Sequence, residues 1–356
     1  MGLVEIVGGG GSIKSMKIKL IHKFENIISL ENLLEAWQEF LSGKHNRKDV
    51  QEFRANLMDN ILKLHHDLVY HKYEHGGYEA FKVLDPKTRN IHKAAVSDRL
   101  LHHAIYRQLY PFFDRTFIFD SYSCRLEKGT HKAITRFNQF FLEVSRNKTK
   151  TCWVLKGDIR KFFASIDHEI LINILKEYLP DENIVWLLSK VIDSFQTKNG
   201  KGLPLGNLTS QLFANLYLSE FDRFVKHKIK AKFYIRYADD FVILSGNKGW
   251  LENQVPIIKE FLWSRLNLEI HPNKMYIKTM SSGVDFLGWV NFPGYKVLRQ
   301  ATKRRMFRKL KENSYKEDSF NSYLGMISHG NAKKINNTII NLKLANINHN
   351  LLKKFE

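Results

Sequence analysis

The sequence predicts an α+β fold, and three observations carry that expectation. Apolar residues recur at helical spacing over several long stretches, and short β-forming runs lie between them. One run, Phe233 to Ser245 (FYIRYADDFVILS), reads as a tight hairpin with two adjacent aspartates, Asp239 and Asp240, at its turn.

Taken in order, residues 1–15 (MGLVEIVGGGGSIKS) have the composition of a flexible leader or an appended linker and are set apart from the fold. Leu30, Leu33, Leu34, Trp37 and Leu41, then Val50, Phe53, Leu57, Ile61 and Leu64, mark two amphipathic helices that read as packing surfaces. From Phe81 to Arg125 come short strand-like runs, a Pro-Lys-Thr turn and a helix with Ser97 or Asp98 as its cap. Cys152 to Asp158 (CWVLKGD) reads as a buried strand ending in an acid, and HEILINILKEYL as a helix capped at Asp167. A turn at Pro204 to Gly206 precedes a long helix with Leu208, Leu212, Phe213 and Leu216 inward. After the hairpin come a helix from Asn253 to Leu266 and two strand-like pieces, LEIHPNKMYI and VDFLGWVNFPG.

Charge narrows the class of partner. The chain of 356 residues has 56 Lys and Arg against 36 acidic residues, a net charge of +20, which favours a polyanion such as nucleic acid. The tail from Lys296 to Glu356, read as helical, has 14 Lys or Arg against 4 acids and so holds half of that charge. No uninterrupted apolar segment approaches the roughly 20 residues needed to span a bilayer, and the N-terminus lacks the order of a secretory signal. Cys124 and Cys152 are the only cysteines and lack CxxC spacing, which supports neither a disulfide framework nor a cysteine zinc site. A reducing cytoplasm is the expected setting. The pairs His65, His66 and His102, His103 lack partners at metal-ligand spacing and read as surface or RNA-facing residues.

The chemistry rests on acids. Asp158 ends a strand, and 81 residues later Asp239 and Asp240 sit in the hairpin turn. If the two strands are neighbours in one sheet, the three carboxylates converge. Clustered carboxylates repel one another and persist mainly around a hard divalent cation. Two such ions can activate an attacking hydroxyl and stabilise a leaving oxygen in phosphoryl transfer, the chemistry of nucleotide polymerisation. An Asp-Asp pair alone is ordinary turn composition.

The flanks go further. LKGDIRKFFASIDH, GLPLGNLTSQLFANLYLSEFD, YIRYADDFVIL, LEIHPNK and DFLGW stand in the order of the palm motifs of reverse transcriptases, and the chain resembles that family from about residue 80 to 330. It is most similar to the diversity-generating retroelement group, because LGNLTSQ stands where most relatives have a Gln-Gly step and a closing Ser-Pro. GVDFLGWVNFPGYKVLR and SYLGMISHGN are also similar to that group.

The resemblance implies a right-hand polymerase, with N-terminal helices and fingers over 16–150, a palm with an antiparallel sheet and helices behind over 151–295, and a short basic helical thumb over 296–356. It implies two Mg²⁺ ions, with Mn²⁺ as a substitute, ligated by Asp158 and Asp239, with Asp240 contributing less directly and Ile159 through its main chain. Phe163 matches the aromatic that packs under the sugar and clashes with a ribose 2′-hydroxyl. Leu205 and Gly206 match the step against the incoming base pair, Gly206 because a side chain there would block backbone approach. Leu205 departs from the usual Gln and cannot donate a hydrogen bond, which implies looser checking and misincorporation at template adenines. Lys87, Arg89 and Arg99 fall in the segment that holds the triphosphate, and Lys274 matches the lysine that protonates departing pyrophosphate. Arg125 reads as a template or structural contact, or else as a salt-bridged core arginine.

As partners the resemblance implies a repeat-containing template RNA, the cDNA/RNA hybrid, dNTP and a small basic accessory oligomer, in a prokaryotic or phage-encoded setting. Two alternatives stay open: a group II intron-like, retron or CRISPR-associated reverse transcriptase, and a catalytically silent RNA-binding protein. The short basic tail disfavours an intron maturase, which is expected to carry a further RNA-binding domain. The three intact acids disfavour the silent protein.

Overall fold

The computed structural model describes residues 18–84, 88–312, 317–328, 330–331 and 333–352; the leader and Lys87 lie outside the described residues. Four helices open the fold, α1 (Phe24–Ile28), α2 (Leu30–Leu41), α3 (Lys48–Ala55) and α4 (Leu57–Val69). The second helix expected from periodicity is therefore two, broken at Asn56, which caps one end and starts the next. A two-stranded hairpin follows, β1 (Tyr78–Val83) and β2 (Arg89–Ala94), then the long α5 (Val96–Thr116) and α6 (Thr130–Val144). Neither Ser97 nor Asp98 caps α5: Ala95 stands at the cap. Asp98 is instead drawn inside, where it accepts hydrogen bonds from the Tyr73 hydroxyl (2.8 Å) and the Gly76 amide (3.0 Å).

The palm strands come next: β3 (Trp153–Asp158), the short helices α7 (Phe162–Ser165) and α8 (His168–Lys176), α9 (Glu182–Asp193) and α10 (Leu208–Arg223). Asp167 caps α8 as expected, accepting from the Ile170 amide. Strands β4 (Tyr234–Tyr237) and β5 (Asp240–Ser245) form the hairpin, followed by α11 (Lys248–Leu266) and β6 (Tyr276–Thr279). The α11 helix begins five residues before the expected Asn253, because Asn247 accepts from the Trp250 amide at 2.9 Å and makes the cap. Three strands, β7 (Val284–Phe286), β8 (Trp289–Phe292) and β9 (Tyr295–Leu298), lead to α12 (Gln300–Glu312), α13 (Glu317–Ile327) and α14 (Lys333–Leu352).

The central sheet is antiparallel throughout, in the order β4-β5-β3-β6. Both its faces are covered, which is why its strands read as unbroken apolar runs. Leu155, Phe241 and Ile243 join a core shared with α2, α5 and α8 to α11. The alternate residues Val154, Val242 and Leu244 pack on Phe137, Phe140 and Phe141 of α6. A third core gathers Trp289, Leu298, Met306, Leu310, Phe320 and Ile327 around Ile134 of α6. The first core draws on residues either side of position 150, and position 296 lies inside β9. Among the described residues no helix is long and apolar enough to cross a membrane.

Candidate active site

The register of the central sheet brings the acids together. Asp158, last in β3, pairs directly with Asp240, first in β5, while Lys156 pairs with Val242. Alternation puts Lys156, Asp158 and Asp240 on one face. Tyr237 pairs with Asp240, leaving Ala238 and Asp239 as a two-residue turn, and the Ile159 amide donates to the Asp239 carbonyl at 3.2 Å. Gly157 makes this approach of strands feasible: a Cβ there would lie 2.3 Å from the Phe241 ring on the opposite face.

Ala238 has left-handed backbone (φ 52), a conformation that costs a non-glycine residue about 1 kcal/mol. Arg236 holds it by donating to the Ala238 carbonyl at 3.1 Å. That guanidinium is itself fixed by two 2.7 Å hydrogen bonds to Asp222, whose Oδ1 also accepts from the Tyr234 hydroxyl at 2.7 Å. The turn carrying Asp239 is thus anchored to α10 through a fully buried ion pair.

The acids themselves are less well compensated. Burial, then the neighbouring Asp158, pushes the Asp239 carboxyl up to about 6. Burial also raises Asp240, against the opposing pull of Lys156. Lys156 Nζ lies 3.3 Å from Asp240 Oδ1 as an ion pair and donates its hydrogen bond to the Asp285 carbonyl at 3.0 Å, while that Oδ1 is buried with no hydrogen bond. Lys274 Nζ donates to Asp158 Oδ1 at 2.7 Å, and the His271 amide donates to the Asp158 carbonyl at 2.8 Å, which keys the turn at 271–274 to the end of β3.

Among the described residues no three carboxylate, imidazole or thiol groups form a closed metal cluster. The donor set nevertheless fits a hard cation. Mg²⁺ needs only one or two carboxylates when substrate phosphates complete its shell, and a buried carboxylate oxygen without a hydrogen bond beside a carboxyl raised by burial and then by its like-charged neighbour is a site short of positive charge.

The remaining residues singled out from sequence fall in three places. Phe163, partly buried and edge-on to Phe162 at 5.5 Å, accepts through its carbonyl from the Leu203 amide at 2.8 Å, which ties it to the segment holding Leu205 and Gly206. The Leu205 carbonyl accepts from the His92 amide at 3.0 Å. Gly206 has φ 111, and a Cβ there would meet Ile91 Cγ2 at 2.8 Å, so in this structure the glycine admits strand β2. Arg89 is exposed at the outer end of β2. Arg99 is not a free cation: it is ion-paired with Asp49, which also takes Lys93 at 2.9 Å, and lies over the Phe40 ring at 5.1 Å. Arg89 is therefore the more accessible of the two.

One expectation is corrected, and one choice between two readings is decided. His102 is buried rather than at the surface, and burial lowers it to about 3, while the half-buried His103 is lowered to about 4, again mainly by burial. The amphipathic period of α5 carries them inward beside Leu101 and Ala104. Arg125 is structural: it donates to Asp114 Oδ1 (2.6 Å) and to the carbonyls of Ile118 (2.8 Å) and Ser121 (3.0 Å). Sequence reasoning missed Gly157, Lys156 and the Arg236–Asp222 pair. The signal was present for two of them, a Lys and an Arg each set inside an apolar strand, where an unpartnered charge would be costly.

Comparison with known proteins identifies the family. A family profile described as reverse transcriptase (RNA-dependent DNA polymerase) matches residues 82–290. The protein YkfC of Escherichia coli (strain K12) is 25% identical over 240 residues, 57% of this chain and 62% of that protein. The group II intron-encoded protein LtrA of Lactococcus lactis subsp. cremoris is 24% identical over 274 residues, 57% of this chain and 44% of that one. The chain thus spans less than two thirds of either relative's length. Telomerase from Candida albicans, solved with a fragment of telomeric RNA, gives a TM-score of 0.47 at 10% identity over 69% of this chain and 51% of that one, a distant likeness on which nothing further rests.

Proposed function

The chain belongs to the reverse transcriptase family, and from that premise we propose that it is an RNA-directed DNA polymerase, adding deoxynucleotides to a primer 3′-hydroxyl on an RNA template. The observation that carries this reading is the β3–β5 register, which sets Asp158 opposite Asp240 with Asp239 at the adjoining turn. Asp158 and Asp239 would hold two Mg²⁺ ions, with Asp240 and the Ile159 main chain beside them. Bound there, the ions supply the positive charge that activates the 3′-hydroxyl and offsets the departing pyrophosphate.

The protein's own groups do the rest. Arg236 fixes the turn so that Asp239 does not reorganise on substrate binding. Lys274, whose ammonium donates to Asp158 Oδ1, would be the proton donor to departing pyrophosphate. Phe163 and the Leu205–Gly206 step border the space for sugar and base, and Arg89, on the β1–β2 hairpin, offers a cation to the triphosphate, with Arg99 behind it in its ion pair with Asp49.

Within the family we propose the diversity-generating retroelement group, error-prone at template adenines, on the strength of LGNLTSQ and the aliphatic Leu205. Such an enzyme would work with a small basic accessory oligomer on a repeat-containing RNA in a reducing, prokaryotic cytoplasm. The match to an intron-encoded protein favours a second reading, an intron-type reverse transcriptase. Primer extension by the purified chain on RNA with Mg²⁺ and dNTP, followed by sequencing of the products, separates them. The first reading expects errors concentrated at template adenines and reduced in Leu205→Gln; an even error spectrum that Leu205→Gln does not move supports the second. No extension at all, with RNA bound, contradicts both.

A further inference from the structure

A cleft of about 480 Å³ lies between the end of α6, the β8–β9 turn and the segment after α13. It sits by the start of β3, and that strand of six residues carries the chain about 17 Å to Asp158 at its other end. The loop that enters β3 is strained. Arg146, Asn147 and Lys148 all take left-handed backbone (φ 46, 54 and 73), which side chains other than glycine rarely adopt and almost never in succession. Ser145, fully buried, holds them: its hydroxyl accepts from the Lys148 amide (2.9 Å) and its carbonyl from the Lys150 amide (2.8 Å).

The strained loop delivers Lys148 to the cleft. Its ammonium rests so close to Gly294, in the β8–β9 turn, that a Cβ there would lie 2.9 Å from Nζ. Lys296 lines the same cleft and lies over the Trp289 ring at 5.2 Å, and burial lowers its ammonium below the ordinary lysine range. Among the described residues neither lysine has a carboxylate partner, unlike Lys93, Lys156 and Lys274. Tyr295, 48% exposed at the rim, is stacked on Phe292 at 4.8 Å and 12°, a rigid aromatic face open to solvent. Asn138 and Asn331 add neutral hydrogen-bonding groups.

Two lysines without acids, one held in place by backbone strain, suit a phosphate. An exposed, braced aromatic suits an unpaired base. We infer that this cleft is a second nucleic-acid site, remote from the catalytic acids, which grips a single-stranded RNA segment by one or two phosphates and one stacked base. That the segment is unpaired template rests on the polymerase reading; the binding itself does not.

The test uses the full chain and a labelled, unstructured oligoribonucleotide, with affinity measured by fluorescence anisotropy across salt concentrations. Lys148→Ala with Lys296→Ala should weaken binding about 10-fold and flatten the slope of log affinity against log salt by about 1 to 1.5, as loss of two single-strand phosphate contacts requires. Tyr295→Ala should weaken binding by a similar factor with the slope unchanged, and Lys148→Arg with Lys296→Arg should keep the slope. Extension of a short primed template with an overhang of a few nucleotides should be unaffected in all of them. Unchanged affinity and slope in the alanine variants would overturn the proposal. So would release of RNA by millimolar inorganic phosphate, which would make the cleft a free-phosphate site, or losses confined to single-stranded DNA. If wild type binds RNA as described and extends nothing, the polymerase reading fails and this site stands.

Discussion

Two clusters of buried charge share the β4–β5 hairpin, and they are built on opposite rules. Arg236 and Asp222 are almost fully enclosed and nearly saturated: paired hydrogen bonds to each other, one from Tyr234, and one to the Ala238 carbonyl. Four residues further on, Asp240 has a buried oxygen with no hydrogen bond, and Asp239 is raised to about 6 by burial and by Asp158. The first cluster has no unmet requirement and therefore fixes geometry. The second has negative charge in excess of its partners and therefore requires a cation. The contrast separates a structural ion pair from a functional one within a single hairpin.

Substitution should part them cleanly. Asp239→Asn should lower the rate of primer extension on the order of 10³-fold while leaving thermal stability at pH 7 unchanged or raised, since an ill-compensated buried charge is removed; extension assays and thermal melts on the same preparation check this. Arg236→Met should do the reverse in kind, destabilising by about 3–5 kcal/mol because Asp222 is left buried and alone. Adding Asp222→Leu to Arg236→Met should recover much of that loss in urea denaturation, and a double variant no more stable than the single would show that the pair does not act as a unit.

Lys156→Met gives a smaller effect that sharpens the comparison. Removing the cation that most opposes the rise of Asp240 should raise that carboxyl further and move the acidic limb of the pH–rate profile upward, with activity at neutral pH down about 10-fold, as for the loss of a partner to a metal ligand. An unmoved limb would assign Lys156 to the β7 contact alone.

The N-terminal histidines supply the smallest effect. His102 is lowered by burial to about 3, so the unfolded chain binds its proton first as pH falls. Stability should therefore decline as pH drops below about 6.5, the ordinary histidine value, and His102→Leu should flatten that decline in denaturant midpoints between pH 7 and 5. Asp239 has the opposite sign: its raised carboxyl makes the folded state lose stability as pH climbs through about 6, and Asp239→Asn should remove that trend.

Much of the site was legible in the sequence because its carriers are local patterns. Asp158 at the end of CWVLKGD and the Asp-Asp turn of YIRYADDFVIL carry strand, turn and charge in a few residues, and the pairing of two such strands follows from a single sheet. What depends on distant contacts was not legible. Arg99 meets Asp49, fifty positions away, and so reads from sequence as a free basic residue. His102 looks polar in isolation and lies in the core because α5 turns that face inward. Asp98 resembles a cap until Tyr73 and Gly76 are seen to claim it. Gly206 was expected to leave room for a base pair, and what it admits here is the Ile91 side chain of β2.

The most direct measurement is the anomalous signal of Mn²⁺ in crystals of the full chain with a primed RNA template, a chain-terminated primer and dNTP. The account expects metal peaks about 2.1–2.2 Å from carboxylate oxygens of both Asp158 and Asp239, with Lys274 displaced from Asp158 towards the triphosphate. Nucleotide bound with no metal at these two side chains, or metal held elsewhere while Lys274 keeps its bond to Asp158, would contradict it.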